Sequence, residues 1–81
     1  MMVTLDDVKT AIGVTGTYQD DLLQIYVNEV VDFLKDAGVS DAHITTGIVS
    51  RGVLDLWNYG AGNGRLSTYF KERATQLAYK L

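Results

Sequence analysis

The stretch ITTGIVSRGVLDLWNYG, residues 44–60, decides how the rest of the chain can fold. At about 100° per residue of a helix, its apolar side chains gather on one arc about half the circumference wide. The apolar arc holds Ile48, Gly52, Leu56 and Tyr59 near its centre, with Val49, Val53 and Trp57 on one side. The opposite, polar face holds Ser50, Arg51, Asp55 and Asn58. A helix with so wide an apolar face contacts more than one neighbour, so this stretch predicts the central helix of a small bundle.

Gly52 stands in the middle of this helix, where glycine costs roughly 1 kcal/mol relative to alanine. A close crossing of two helices at this point would compensate for that cost, because a residue without a side chain lets two elements approach. A glycine that the helix merely tolerates is the alternative. Next to it, Arg51 and Asp55 have the i,i+4 spacing of an ion pair.

Length and composition indicate one domain, residues 1–81, near the lower size limit for independent folding. Apolar residues make up 47% and charged residues 21% of the chain, which argues against disorder. Because cysteine is absent, neither a disulfide framework nor a thiolate zinc site can form. The chain begins with no secretory signal, and no apolar run approaches the roughly 18 residues of a membrane span. We therefore expect a soluble cytosolic protein that does not contact a membrane.

Start and stop signals predict helices on both sides of the central one. Thr4 is the expected N-cap of a short first helix that ends at Gly13. The longest helix is expected from residue 18 or 19 to residue 37, with Gly38 ending it. Ser40 is a candidate N-cap for the central helix, and Ser67 for the last one. The last helix has a narrow apolar stripe: Phe70, Ala74, Leu77 and Leu81.

These patterns predict an all-α fold, a small bundle of three main helices plus a short N-terminal helix. On the long helix, residues sharing the apolar arc are Leu22, Leu23, Tyr26, Val30, Phe33, Leu34 and Ala37, with Val27 and Val31 on its edge. The core is expected to hold Leu22, Tyr26, Val30, Phe33, Ile48, Val49, Leu56, Phe70 and Leu77. Ile25 and Leu54 project on the polar sides of their helices and so suggest a surface that a partner covers.

The charges of the chain are unevenly distributed between its two halves. Residues 1–41 carry eight acids and two bases, and residues 42–81 carry two acids and five bases, so the balances are −6 and +3. Opposite signs on two parts of one small protein can attract a second copy head to tail.

Nothing in the sequence forms a recognisable catalytic, cofactor-binding or metal-binding pattern. His43 is the only histidine, and a solvent-exposed histidine next to a helix-start acid, Asp41, is the simple interpretation. The acidic pairs Asp6-Asp7 and Asp20-Asp21 stand at helix starts, where acids are favoured by the helix dipole, and adjacent helical residues do not face each other. We therefore expect no enzyme and no cofactor.

A small helical DNA-binding regulator is the alternative function. The last helix and the loop before it carry a modest basic patch, interleaved with Tyr69 and Tyr79 and made of Arg65, Lys71, Arg73 and Lys80. However, no helix shows the clustered lysine and arginine that phosphate contacts require, so a solvated surface explains the patch more simply.

The order of the segments resembles the tailed-phage head–tail connector family, also described as DNA-packaging-like. The segments are LDDVKTAIGV, YQDDLLQIYVNEVVDFL, GIVSRGVLDLWNYGAGNG and RLSTYFKERATQLA, and together they cover nearly the whole chain. The parts that carry the resemblance are a Leu-x-x-Val-Lys first helix, an Asp-Asp-x-Leu start to the second helix and a Trp-Asn-Tyr-Gly end to the third.

The resemblance implies a structural adaptor without catalytic residues or cofactors, which forms a ring beneath the portal at the capsid vertex. Its expected partners are the portal protein, tail-completion proteins and further copies of itself, while DNA passes the lumen without specific binding. The expected location is the virion, and the host cytoplasm during assembly. Candidate residues for the contact between subunits are Ile25, Leu54, Arg65 and Arg73.

Overall fold

The computed structural model describes residues 3–57 and 64–80. These residues form four α-helices and no strand: α1 is Leu5–Ile12, α2 is Asp20–Asp36, α3 is Thr46–Leu56 and α4 is Thr68–Ala78. A short 3-10 turn, Asp41–His43, lies between α2 and α3. The all-α fold class is confirmed for this part of the chain. No helix within these two ranges is long and apolar enough to cross a membrane.

The first helix, α1, begins and ends at the predicted residues. The Thr4 hydroxyl accepts a hydrogen bond from the Asp7 amide at 3.1 Å, and the Asp7 carboxylate accepts one from the Thr4 amide at 3.3 Å. This reciprocal pair satisfies two backbone amides that have no partner inside the helix. Gly13 ends the helix in the left-handed conformation, with a φ of 77°, which glycine adopts without a steric penalty.

The central helix, α3, is shorter than predicted at both ends. Ser40 precedes the 3-10 turn rather than α3, and Thr45 is the N-cap of α3. The turn arises because buried Ile44 fixes the chain to the core before the helix starts. At the other end the backbone is already extended at Trp57, while the predicted continuation over residues 58–60 lies outside the described residues.

The contacts of α3 are consistent with the predicted central helix, because α3 packs against α1, α2 and α4. Gly52 lies where α3 closely approaches Val30 of α2 and Phe70 of α4. A Cβ atom on Gly52 would lie 2.7 Å from Val30 Cγ1 and 2.9 Å from Phe70 Cε2, both of which are too close for carbon atoms. The Phe70 ring also packs against the Phe33 ring, with centroids 5.7 Å apart. The close crossing that the sequence suggested is therefore present, and it involves α2 and α4 at once.

The buried stripe of α2 differs from the predicted one. Buried residues of α2 are Leu23, Val27, Val30, Val31 and Leu34. Leu22, Tyr26 and Phe33 were expected in the core but are half-buried, and Ala37 is exposed. The stripe is rotated because α1 and α3 both pack on α2 and cover the edge with Val27 and Val31, which the sequence pattern placed at the margin. The other six residues of the predicted core are buried, namely Val30, Ile48, Val49, Leu56, Phe70 and Leu77.

Two polar residues of the described chain are buried. Lys9 of α1 places its ammonium 2.6 Å from Asp20 Oδ1 at the start of α2, and the same group donates a hydrogen bond to the Gly16 carbonyl. This joins the lysine of the Leu-x-x-Val-Lys segment to the first acid of the Asp-Asp-x-Leu segment. Ser50 was expected on the polar face of α3 but is buried, and its hydroxyl has no hydrogen-bond partner within the described residues.

Candidate interaction surfaces

A basic groove with a volume of about 680 Å³ opens where the 3-10 turn, α3 and α4 meet. Its floor includes Ile48 and Leu77, each of which is 7% exposed. Charged or polar side chains on its walls are His43, Thr45, Arg51, Tyr69, Arg73 and Lys80. None of the described residues that line this groove is acidic. We call this surface the basic groove, since three cations surround an apolar floor.

Two contacts hold Arg51 at the edge of the basic groove. Its Nε atom lies 3.9 Å from Asp55 Oδ1, as the i,i+4 spacing predicted, and its guanidinium carbon lies 5.2 Å from the centroid of the Tyr69 ring. The second contact has the geometry of a cation–π interaction. On the opposite wall, Arg73 donates a hydrogen bond to Gln76 Oε1 at 3.0 Å, which leaves its charge without an acidic partner among the described residues.

Asp55 of α3 holds α3 and the start of α4 together beside the basic groove. Asp55 Oδ2 accepts hydrogen bonds from the Ser67 amide at 3.1 Å and from the Ser67 hydroxyl at 2.7 Å. The Ser67 hydroxyl in turn accepts a hydrogen bond from the Phe70 amide, so Ser67 is the N-cap of α4 as predicted. The Gly64 amide also donates to the Asp55 backbone carbonyl at 3.1 Å. The start of α4 is thus tied to the last turn of α3, and this fixes Tyr69 and Arg73 relative to Arg51.

A second surface is the outer face of α2, which we call the acidic stripe. It contains Asp21, Ile25, Glu29, Asp32 and Asp36, all of them exposed. Ile25 is 60% exposed and is one of the large apolar side chains that remain in solvent. At about 100° per residue, Ile25 lies about 180° around α2 from the centre of the buried stripe, so it points directly away from the bundle. None of the four acids takes part in an ion pair within residues 3–57 and 64–80.

The four candidate interface residues do not share one surface. Arg73 lines the basic groove, and Ile25 lies in the acidic stripe. Arg65 is exposed in the segment before α4 and does not line the groove. Leu54 was expected to project into solvent but is half-buried, although it is not among the apolar residues that pack against the core.

Among the described residues, His43, Asp7 and Asp20 each take part in a separate local contact. His43 is half-buried rather than exposed, and its Nδ1 lies 3.3 Å from the Ser40 hydroxyl. Asp7 is part of the α1 cap, and Asp20 pairs with Lys9. Within the part of the chain that the structure describes, no three histidine or acidic residues are grouped so that they could hold a metal ion.

The family model for phage gp6-like head-tail connector proteins matches residues 2–79, which is nearly the entire chain. The chain belongs to this family. No curated protein and no solved structure matches it. The role of the family is structural, and the family resemblance that the sequence suggested is confirmed.

The basic groove of this connector protein was only partly visible in its sequence. The patch of the last helix and its preceding loop included Arg73, Lys80 and Tyr69, but Arg51 and His43 belong to other elements and were not associated with it. Their convergence depends on the crossing of α3 and α4. The useful signal was the Arg51–Asp55 spacing, because Asp55 is the residue that joins the two helices.

Proposed function

We propose that this connector protein assembles as a ring at the portal vertex of the capsid, where it joins head to tail and lets DNA pass. The observation that carries this proposal is the family match over residues 2–79. The proposed partners are the portal protein on one side and tail-completion proteins on the other, and the proposed location is the virion after assembly in the host cytoplasm. The chain works through its outer surfaces and not through a reactive cleft.

Homo-oligomerisation is supported by the distribution of charge over the folded protein. The acidic stripe lies on α2, and the basic groove is built from the 3-10 turn, α3 and α4, so the two signs occupy different elements. A contact between two different surfaces of identical subunits produces a closed ring when the rotation between neighbours closes. Ile25, Leu54, Arg65 and Arg73 remain the proposed interface residues.

Passage of DNA without specific binding is supported by the net charge of −3. Strong attraction to phosphates would hold DNA in the channel, because each neutralised phosphate adds to the affinity. An acidic subunit avoids this attraction.

The alternative of a DNA-binding regulator draws support from one feature, the three cations and the tyrosine of the basic groove. Binding of this kind would be strongly salt-dependent. A gel-shift assay with duplex DNA at low salt tests this alternative, and we expect no retarded complex. A retarded complex that dissociates as the salt concentration increases would favour the alternative.

The connector proposal is tested by electron microscopy of the protein mixed with the portal of the same phage. We expect additional ring-shaped density beneath the portal, since many rings form only on their template. A portal that remains bare at every protein concentration would contradict the proposal. Sedimentation of the protein by itself at low and high salt is the companion measurement, and larger species that dissociate at high salt would support charge-driven self-association.

A further inference from the structure

We infer that the acidic stripe of one copy docks into the basic groove of the next copy, with Ile25 seated on the apolar floor of the groove. This inference rests on the proposed ring, and it names the two surfaces that would build it. It takes Ile25 and Arg73 from the four candidate residues and assigns them to opposite sides of the contact.

The chemistry of the two surfaces is complementary in both charge and polarity. In the groove, Arg51, Arg73 and Lys80 surround an apolar floor that includes Ile48 and Leu77. On the stripe, an apolar side chain is surrounded by carboxylates. At about 100° per residue, Asp21 and Asp32 lie on one side of Ile25, and Glu29 and Asp36 lie on the other. Interfaces between proteins are commonly organised in the same way as these two surfaces, with an apolar centre and a polar rim.

The spacing of the charges also matches. Asp21 and Glu29 stand four residues before and four residues after Ile25, which separates them by about 12 Å along α2. Arg73 and Lys80 likewise stand on either side of Leu77, about 10 Å apart, and hydrogen bonds to the carbonyls of Gln76 and Leu77 extend the turns beyond the end of α4 to Lys80. Asp21 and Glu29 can therefore lie opposite the two cations, with Ile25 opposite Leu77, when the helices run alongside each other.

If an acidic stripe occupies the basic groove, that stripe must belong to another copy of the protein. Ile25 points directly away from the bundle, and the opposite side of α2 is fixed against α1 and α3. The stripe of a given copy therefore cannot turn to reach its own groove without unfolding. Every copy carries both the acidic stripe and the basic groove. Because these are two different surfaces, the same contact can repeat from one copy to the next.

A charge-swap experiment tests the inference. Two double variants, D21K/E29K and R73E/K80E, each place like charges opposite each other and should weaken ring formation on the portal about ten-fold or more. The quadruple variant that combines them restores opposite signs and should recover assembly. Lys71→Glu is the control, because Lys71 is exposed on α4 outside the groove and should leave assembly unchanged. The readouts are co-sedimentation with the portal and thermal unfolding, which verifies that each variant is folded.

The possible failures are distinguishable. If the wild-type protein forms rings and both double variants do so equally well, the contact lies elsewhere and the inference is overturned while the proposed function stands. If the wild-type protein never associates with the portal, the proposed function itself fails. If R73E/K80E loses binding to duplex DNA but assembles normally, the groove is a nucleic-acid site and the inference is also overturned.

Discussion

Gly52 and Arg51 are neighbours on the central helix, yet they belong to regions with opposite requirements. At Gly52 the described structure has no space for a single carbon atom, since Val30 and Phe70 already occupy the positions around it. At Arg51 a long charged side chain reaches the edge of an open groove and contacts Tyr69 and Asp55. One face of α3 therefore determines whether the bundle forms. The other face determines what the bundle can bind.

Substitutions in the two regions should therefore have different effects on stability and on binding. At the helix crossing around Gly52, close packing sets the stability, and small changes in side-chain volume are destabilising. On the groove and the stripe, exposed charges contribute little to stability because water screens them, and their effect appears when a second surface excludes that water. Variants at the crossing should therefore destabilise the protein, whereas variants on the groove and the stripe should leave it folded but change its assembly.

The largest effect is expected for Gly52→Val. The added side chain would overlap with Val30 and Phe70, so we expect the free energy of unfolding to fall by about 3 kcal/mol or more. Urea denaturation followed by circular dichroism measures this change. The control is Gly47→Ala, because a Cβ there meets its nearest atom, Thr45 Oγ1, at 3.9 Å. A stable Gly52→Val variant would show that the crossing is not tight.

A smaller loss is expected for Lys9→Met, which removes the ion pair between α1 and α2. The lysine side chain is 11% exposed and its partner Asp20 is 32% exposed, so screening by water reduces the loss below that of a fully buried pair. We expect the free energy of unfolding to fall by about 1–2 kcal/mol. Lys35→Met, at an exposed position of α2, is the matched control and should be neutral. Equal losses in both variants would mean that the Lys9–Asp20 contact contributes nothing specific.

Ser50→Ala should act in the opposite direction and stabilise the protein. The Ser50 hydroxyl is buried without a hydrogen-bond partner in the described structure, so its removal relieves a desolvation penalty of about 1 kcal/mol. Ser67→Ala is the contrasting control, since Ser67 caps α4 and binds Asp55, and its loss should cost about 1 kcal/mol. Thermal unfolding of both variants gives the comparison. A decrease in stability for Ser50→Ala would indicate that its hydroxyl has a partner.

The smallest effect on stability is expected for Arg73→Glu, which belongs to the surface region. We expect a change within about 0.5 kcal/mol, because the arginine makes no ion pair among the described residues. Lys71→Glu changes the charge by the same amount two residues away and should be equally neutral. The two variants should differ in assembly on the portal, where only Arg73→Glu has an effect. A large loss of stability for Arg73→Glu would erase the distinction between the two regions.

Features that depend on neighbours in the sequence could be predicted, whereas those that depend on distant contacts could not. Helix starts and ends at Thr4, Gly13, Gly38 and Ser67 depend on neighbours in the sequence, and all four agree with the structure. The start of α3 was wrong because Ile44 is held by the distant core rather than by a local signal. The half-buried state of Tyr26 and Phe33 was missed for the same reason, since a wide apolar arc does not say which of its edges a neighbouring helix covers.

The helical class, the helix boundaries set by caps and glycines, and the connector family could all be predicted from the order of the amino acids. These features depend on periodicity, on backbone preferences and on the order of segments, all of which are local or linear properties of the chain. The packing of the helices, in contrast, sets which side of α2 is buried and brings Lys9 to Asp20. It also places Arg51, Tyr69, Arg73 and Lys80 around one groove. The physical reason is that these features depend on the angles and rotations at which the helices cross, and residues far apart in the sequence set those angles through close packing.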